Sequence, residues 1–156
     1  MCGDVGAARN IFDSMEAKSR DIVTWSSMIM ALGGVGRGEE ALALFRFIQM
    51  PMSEGGGGLS PNGHTLLLIL SACSHAGLLD EGVALFESAR ESGVHFLDFH
   101  FNALLDLLAR GGRLHEAERI INEMPMRATA ITWMTLLGGC RMHGCLEIAE
   151  CTDASL

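Results

Sequence analysis

Apolar residues recur along this chain with the spacing of an amphipathic helix. Leu79, Val83 and Phe86 stand four and three residues apart, and the segment 39–45 repeats the pattern around Leu42 and Phe45. Such spacing places side chains on one face of an α-helix, whereas the period-two alternation of a half-buried strand is not sustained anywhere in the sequence. The pattern therefore predicts an all-α protein.

The helical pattern returns at a regular interval, which indicates a repeat array. Three series of residues share steps of 33, 41, 35 and 32 positions, and a fourth series shares the last three of these steps. The series are Gly3, Gly36, Gly77, Gly112 and Gly144; Ala8, Ala41, Gly82, Ala117 and Ala149; Phe12, Phe45, Phe86, Ile121 and Asp153; and Trp25, Leu66, Phe101 and Trp133. Each unit predicts two helices, and stacked helical hairpins predict an all-α solenoid. The polar Asp153 departs from its apolar series, so we expect the last helix to fray there.

Turn and helix-start residues agree with a series of hairpins. The glycine before each second helix supplies the left-handed backbone that ends the first helix. Glu39, Asp80 and Glu116 fall near the start of the second helices, where the helix dipole favours negative charge. The unit of 41 residues carries an insertion at 51–58 with four consecutive glycines, which we expect to be flexible coil. A phosphate-binding loop is disfavoured there because no strand precedes it and no Gly-Lys-Ser/Thr follows.

The composition narrows the classes of function. The 156 residues include 11 Lys and Arg against 19 Asp and Glu, a formal net charge of −8. This charge disfavours broad non-specific binding to nucleic acid, which depends on neutralising phosphates. No apolar run reaches the roughly 18–20 residues of a membrane span, and neither a secretory signal nor a transit peptide is visible. Five cysteines without a signal are expected to be reduced thiols.

Two groups of cysteine and histidine have the residue types of a zinc site. They are Cys140 with His143 and Cys145, and Cys73 with His75. The repeat spacing favours packing instead, because Cys73 and Cys140 occupy the position that leucine holds at 32 and 108. We therefore expect small buried thiols there, and no metal, cofactor or catalytic site in the chain.

The units resemble pentatricopeptide repeats over nearly the whole chain. The shared features are a threonine and an aromatic residue near the start (Thr24-Trp25), a turn glycine, and an Ala-x3-Phe second helix. Residues 70–78 are similar to the long variant, 106–117 to the short variant, and 133–144 to the start of the closing E motif. This order resembles the PLS subclass. It implies a right-handed α-solenoid of helix-turn-helix repeats.

The resemblance also implies where the units begin and end. The predicted units are 1–21 (the second helix of a truncated repeat), 22–62 (standard type, with the insertion 51–58), 63–97 (long type), 98–129 (short type), 130–150 (partial E motif) and a divergent tail, 151–156. Because the array starts within a unit and stops within a motif, we expect a C-terminal fragment of a longer protein.

Members of the family bind single-stranded RNA at roughly one nucleotide per unit, and the fifth and last residues of a unit select the base. The resemblance carries these roles to Ser26 and Asn62, a pairing similar to those that prefer adenine, and to Asn102 and Thr129, where asparagine at the first position implies a pyrimidine. Asp21 would be the last residue of a unit whose base-facing partner is missing. The remaining positions are Leu67, Leu97 and Met134, whose side chains carry no hydrogen-bond code.

The resemblance implies an RNA-binding adaptor of plant organelle RNA processing, typically C-to-U editing, in the mitochondrion or chloroplast. Its partners would be single-stranded organellar RNA and, through the E motif, editing-complex proteins; no membrane and no small-molecule substrate is expected. The deaminase of some relatives needs His-x-Glu and Cys-x-x-Cys for its zinc. Neither pair occurs here, so we expect the enzyme to be supplied elsewhere.

Two other interpretations stay open. The chain could be a scaffold that binds protein, as tetratricopeptide arrays do, or a non-functional truncated product. Ten methionines would suit an adaptable protein-binding surface. However, Met15, Met28 and Met124 fall at apolar repeat positions, so we expect them to fill the core.

Overall fold

The computed structural model describes residues 5–16 and 19–145 of the chain. These residues form eight α-helices and no strand: α1 (Val5–Ser14), α2 (Ile22–Gly34), α3 (Gly38–Gln49), α4 (Gly63–Ala76), α5 (Leu79–Glu91), α6 (Asp98–Arg110), α7 (Leu114–Glu123) and α8 (Ala130–His143). A 3₁₀ turn, Met52–Glu54, lies between α3 and α4. The predicted all-α fold of helix-turn-helix repeats is confirmed. The predictions for Gly3, Ala149, Asp153 and the tail 151–156 lie outside the described residues.

The helix ends follow from a few residues of each unit. Asp21, Asn62 and Thr129 stand immediately before α2, α4 and α8, and each side-chain oxygen accepts the backbone N–H three residues further on. Such a cap satisfies one of the N–H groups left free at a helix start and contributes about 1 kcal/mol. The turn glycines Gly36, Gly77, Gly112 and Gly144 have φ values of 78, 72, 77 and 69°. Their predicted left-handed conformation is therefore confirmed.

The chain divides into two compact units, Met1–Leu78 and Leu79–Leu156. In the first unit α2 packs against α1, α3 and α4, and α3 also packs against α4. Its largest fully buried side chains are Ile29, Leu32, Phe45, Ile48, Ile69 and Leu70. Burying a side chain of this size contributes about 1.5–3 kcal/mol. Helices α2 and α4 approach closely at Gly33, where an added Cβ would lie 2.9 Å from the Cβ of Ala72.

In the second unit α6 packs against α5, α7 and α8, and α7 also packs against α8. Leucines dominate this core: Leu104, Leu105, Leu107, Leu108 and Leu136 are all buried. The ring of Phe86 lies 4.5 Å from that of Phe96 and 5.5 Å from that of Phe101, measured between centroids. These aromatic contacts join α5 to the start of α6.

The glycine-rich insertion is folded, which corrects the prediction of flexible coil. The backbone N–H groups of residues 57, 58 and 59 donate to the carbonyl oxygens of Phe47, Met50 and Ile48 at 2.9, 2.9 and 3.0 Å. These bonds satisfy carbonyl groups at the end of α3 that have no partner inside the helix. Glycine is needed because the backbones approach closely: a Cβ on Gly56 would lie 2.4 Å from the carbonyl oxygen of Met50. The insertion therefore caps α3.

No helix in the described part of the chain is both long and apolar enough to cross a membrane.

Candidate nucleic-acid interface

Ser26 and Asn62, the first predicted base-reading pair, come together in the structure. Ser26 lies in the second turn of α2, and Asn62 caps α4. Thr65 joins them, because its Oγ1 lies 2.9 Å from Ser26 Oγ and donates to Asn62 Oδ1 at 3.0 Å. Ser26 is 6% exposed and Thr65 is fully buried, whereas Asn62 is exposed. Asn62 is therefore the member of this pair that solvent reaches most easily.

Asn102 and Thr129, the second predicted pair, are joined in the same way by Thr132. Thr132 Oγ1 donates to Asn102 Oδ1 at 3.0 Å and lies 3.1 Å from Thr129 Oγ1. Asn102 lies in the second turn of α6 and is half-buried, and Thr129 caps α8 and is exposed. The structure therefore joins the members of both pairs in the same manner, with a buried threonine between the two predicted base-reading residues.

Sequence reasoning missed the two bridging threonines. Thr65 and Thr132 belong to a series, Thr24, Thr65, His100 and Thr132, that has the same steps of 41, 35 and 32 residues as the glycines and aromatics. Each member stands three residues after the residue that precedes a first helix, which is the spacing of a helix cap. That spacing was the available signal, but the contact with a residue on the neighbouring helix becomes visible only in the structure.

The other predicted positions are not arranged as polar pairs. Asp21 Oδ1 accepts the backbone N–H and the hydroxyl of Thr24, both at 2.8 Å. These bonds, the backbone one first, hold the pKa of the Asp21 carboxyl below its ordinary value. Leu67 is half-buried, and Leu97 and Met134 are 44% and 65% exposed. Their apolar side chains offer contact area but no hydrogen bond.

Exposed apolar side chains stand near both pairs along the chain. Val23, which is 66% exposed, and His64 line a recess of about 100 Å³ together with Ser26 and Asn62. The equivalent positions in the later units are Phe99 and Ile131, which are 40% and 66% exposed. An exposed apolar or aromatic face beside a polar pair is a surface on which an unpaired base can stack.

Positive charge is scarce on the helices that carry the pairs. Helices α2 and α4 contain no Lys or Arg, and α6 and α8 contain one each, Arg110 and Arg141. Arg110 Nε lies 3.0 and 3.1 Å from the two carboxylate oxygens of Asp106. Its charge is therefore largely compensated within α6, which weakens the attraction of this surface for phosphate.

The two cysteines at the repeat position, Cys73 and Cys140, pack as the spacing predicts. Cys73 and Cys140 are 0% and 2% exposed, and burial raises the pKa of the Cys140 thiol. A raised pKa disfavours the thiolate that binds metal. Among residues 5–16 and 19–145, no three His, Cys, Asp or Glu side chains lie close enough together to hold a metal ion.

The methionines follow the core prediction only in part. Met28 is 5% exposed, as expected, but Met15 and Met124 are half-buried. The exposed methionines among the described residues are Met30, Met50, Met52, Met134 and Met142. Met15 and Met124 therefore show that an apolar repeat position does not by itself bury a methionine completely.

The family model for the PPR repeat matches residues 23–50, 65–94 and 99–127, which is more than half of the chain. The chain belongs to the pentatricopeptide repeat family. Its relatives in Arabidopsis thaliana include the mitochondrial pentatricopeptide repeat-containing protein At3g53360, 42% identical over 96% of this chain and 18% of the relative. Another is the mitochondrial protein At2g03880, 40% identical over 96% of this chain and 22% of the relative. This pentatricopeptide repeat chain thus spans about a fifth of their length.

A solved structure of the same family shares the fold. The pentatricopeptide repeat protein PPR10, in complex with an 18-nt psaJ RNA element, matches 99% of this chain and 27% of its own with a TM-score of 0.54 and 27% identity. This likeness confirms the α-solenoid fold class that the sequence predicts.

Proposed function

We propose that this pentatricopeptide repeat chain recognises bases of single-stranded RNA and acts as an adaptor in plant organelle RNA processing or editing, without a catalytic site of its own. The observation that carries the proposal is the repeated arrangement of two polar pairs, Ser26 with Asn62 and Asn102 with Thr129, each bridged by a buried threonine. Amide and hydroxyl groups held in this way can hydrogen-bond the Watson–Crick edge of an unstacked base. By the family resemblance, the first pair prefers adenine and Asn102 favours a pyrimidine.

The comparisons support RNA as the partner and an organelle as the location. PPR10 is in complex with an 18-nt RNA element, and two similar Arabidopsis proteins are named as mitochondrial. A location in the mitochondrion or chloroplast is therefore part of the proposal. The PLS order of units, the boundaries at 22, 63, 98 and 130, and recruitment of editing-complex proteins by the partial E motif belong to the same proposal.

The affinity of this chain alone should be weak. Base stacking and base contacts are worth about 1–3 kcal/mol each, and the chain has two polar pairs. The net charge of −8 opposes phosphate binding. Tight binding would therefore depend on further repeats in a longer protein.

Nuclear magnetic resonance tests the proposal at the low affinity expected. The ¹⁵N-labelled chain is titrated with a single-stranded RNA hexanucleotide of adenine and uracil, and then with the same RNA as a duplex. We expect the single strand to shift the amide signals of Ser26, Asn62, Asn102, Thr129 and their neighbours. Shifts confined to α1, α3, α5 and α7, equal shifts with the duplex, or no shifts at millimolar RNA would contradict the proposal.

A protein-binding scaffold is the second candidate, and two apolar grooves favour it. In the first unit a groove of about 360 Å³ is lined by Phe12, Trp25 and Phe47. In the second unit a groove of about 490 Å³ is lined by Phe86 and Phe96, among others. Protein binding would give a captured complex that survives ribonuclease and removal of the Ser26 hydroxyl, whereas a complex held by RNA would be lost in both cases.

A further inference from the structure

The hydroxyl group of each bridging threonine carries one proton. The atom to which that proton is donated decides which hydrogen-bond donors and acceptors the neighbouring side chains can offer a base. Thr65 and Thr132 are 0% and 1% exposed, so neither hydroxyl is available to a ligand directly. A hydroxyl donates one hydrogen bond and accepts up to two. The donors and acceptors around each threonine therefore determine the direction of each hydrogen bond in the bridge.

At the first bridge Ser26 donates to Thr65, and Thr65 donates to Asn62. Thr65 Oγ1 donates to Asn62 Oδ1 at 3.0 Å, so its 2.9 Å bond to Ser26 must be one in which Ser26 donates. Asn62 Oδ1 also accepts the backbone N–H of Thr65 at 2.9 Å. Ser26 Oγ is left with acceptor capacity only, and the amide nitrogen of Asn62, with its two donors, is the group turned away from the bridge.

At the second bridge the hydroxyl groups donate in the opposite direction, from the last residue of the unit, Thr129, through Thr132 to its fifth residue, Asn102. Thr132 Oγ1 donates to Asn102 Oδ1 at 3.0 Å, so in its 3.1 Å bond to Thr129 the hydroxyl of Thr129 donates. Thr132 Oγ1 also accepts the backbone N–H of Thr129 at 3.1 Å. Here the amide donors stand on the fifth residue of the unit, Asn102, and the acceptor stands on the last residue, Thr129.

We propose that Thr65 and Thr132 are specificity-determining positioning residues, each of which fixes the orientation of a neighbouring Asn amide and so selects the donors and acceptors presented to an RNA base. This inference rests on the proposed function, because it assumes that the two polar pairs read bases. It adds that the code of a unit depends on a third residue, the buried threonine at the start of the next first helix.

Thr24 shows what the same position does without a bridge. In the described part of the chain its hydroxyl bonds to the Asp21 carboxylate alone, so it caps α2 and orients no second base-facing side chain. Thr24 is therefore a matched control for Thr65, with the same residue type and the same place in the helix.

The test compares base selectivity in the full chain. The ligands are four single-stranded hexanucleotides: oligouridine and its versions with one central adenine, guanine or cytosine. Their affinities for wild type, Thr65→Val, Thr65→Ser and Thr24→Val are measured from the nuclear magnetic resonance signal of the Asn62 side-chain amide. Valine keeps the shape of threonine and the backbone N–H that Asn62 caps, but removes the hydroxyl. We expect Thr65→Val to lower the preference for adenine by about fivefold, the effect of one hydrogen bond, and Thr65→Ser and Thr24→Val to retain it.

The outcomes separate this inference from the proposed function. A wild-type preference for adenine that Thr65→Val leaves intact overturns the role of the threonine but not RNA recognition. Equal loss in Thr65→Val and Thr24→Val also overturns it, since capping alone would then explain the effect. A wild-type chain with no preference overturns the proposed function itself. Thr132→Val repeats the test for the pyrimidine preference at Asn102, so the second bridge decides the matter if Thr65→Val does not fold.

Discussion

At the scale of single residues, the pairing of Arg110 with Asp106 limits how strongly α6, which carries Asn102 of the second proposed base-reading pair, can attract phosphate. Its guanidinium is bound to the Asp106 carboxylate on the same helix. Replacing Asp106 with asparagine keeps the side-chain shape but releases this charge for a phosphate. We expect Asp106→Asn to raise RNA affinity about three- to tenfold at low salt. We also expect the slope of log affinity against log salt concentration to become steeper by about one unit, the effect of one more released counterion. Titrations at two or more salt concentrations measure both effects.

Asp80 provides the matched control for this change. It is an aspartate on α5, its side chain is 93% exposed, and it pairs with Arg113. Asp80→Asn removes the same negative charge, but it lies on a helix without a polar pair. Screening limits the reach of an exposed charge to about 10 Å at 0.1 M salt. We expect little change in RNA affinity, and equal gains from both variants would show that net charge, not Arg110, is responsible.

At the scale of helices, two adjacent glycines in α8 should respond oppositely to the same substitution. A Cβ at Gly138 would meet no atom within 4 Å, whereas a Cβ at Gly139 would lie 2.8 Å from both Ala109 Cβ and Leu114 Cδ2. Gly138→Ala should raise the free energy of unfolding by about 0.5–1 kcal/mol, because glycine disfavours a helix interior. Gly139→Ala should lower it by about 1–3 kcal/mol, because α6 and α8 would be forced apart.

Urea unfolding followed by circular dichroism measures both free energies. The two variants serve as controls for each other, because they share the substitution, the helix and the gain in helix propensity. If both substitutions stabilised the chain, the close contact of α6 with α8 at Gly139 would be refuted.

The sequence predicted the helices well, since their signals are local. Turn glycines such as Gly77 and caps such as Asn62 act within a few residues, so a regular spacing identifies them. The fold of the 51–58 insertion was missed because it depends on the close approach of Gly56 to Met50, which glycine content alone does not show. The bridges were missed for a similar reason: Thr65 has an obvious local role as part of a cap, and its bond to Ser26 needs two helices side by side.

At the scale of the whole chain, the net charge disfavours binding to nucleic acid, whereas the repeated polar pairs favour it. A net charge of −8 is unusual for a protein that holds nucleic acid, whereas two polar pairs, each bridged by a buried threonine, suit base recognition. Weak binding by selective contacts reconciles the two. The chain spans about a fifth of the length of similar proteins, so we expect affinity to come from a longer array and this segment to contribute selectivity.

The most direct test of base reading replaces Asn62 with aspartate. Aspartate caps a helix as well as asparagine does, but its carboxylate only accepts hydrogen bonds. It therefore no longer matches the N1 acceptor of adenine and matches the N1–H and N2–H donors of guanine. The control is Asn122→Asp, which makes the same change at an exposed position on α7.

The measurement is the affinity of each variant for four single-stranded RNAs that differ in one base. We predict that wild type and Asn122→Asp prefer adenine and that Asn62→Asp prefers guanine, with a change in the affinity ratio of about fivefold or more. A preference that Asn62→Asp leaves unchanged would contradict the assignment of Ser26 and Asn62 as a base-reading pair.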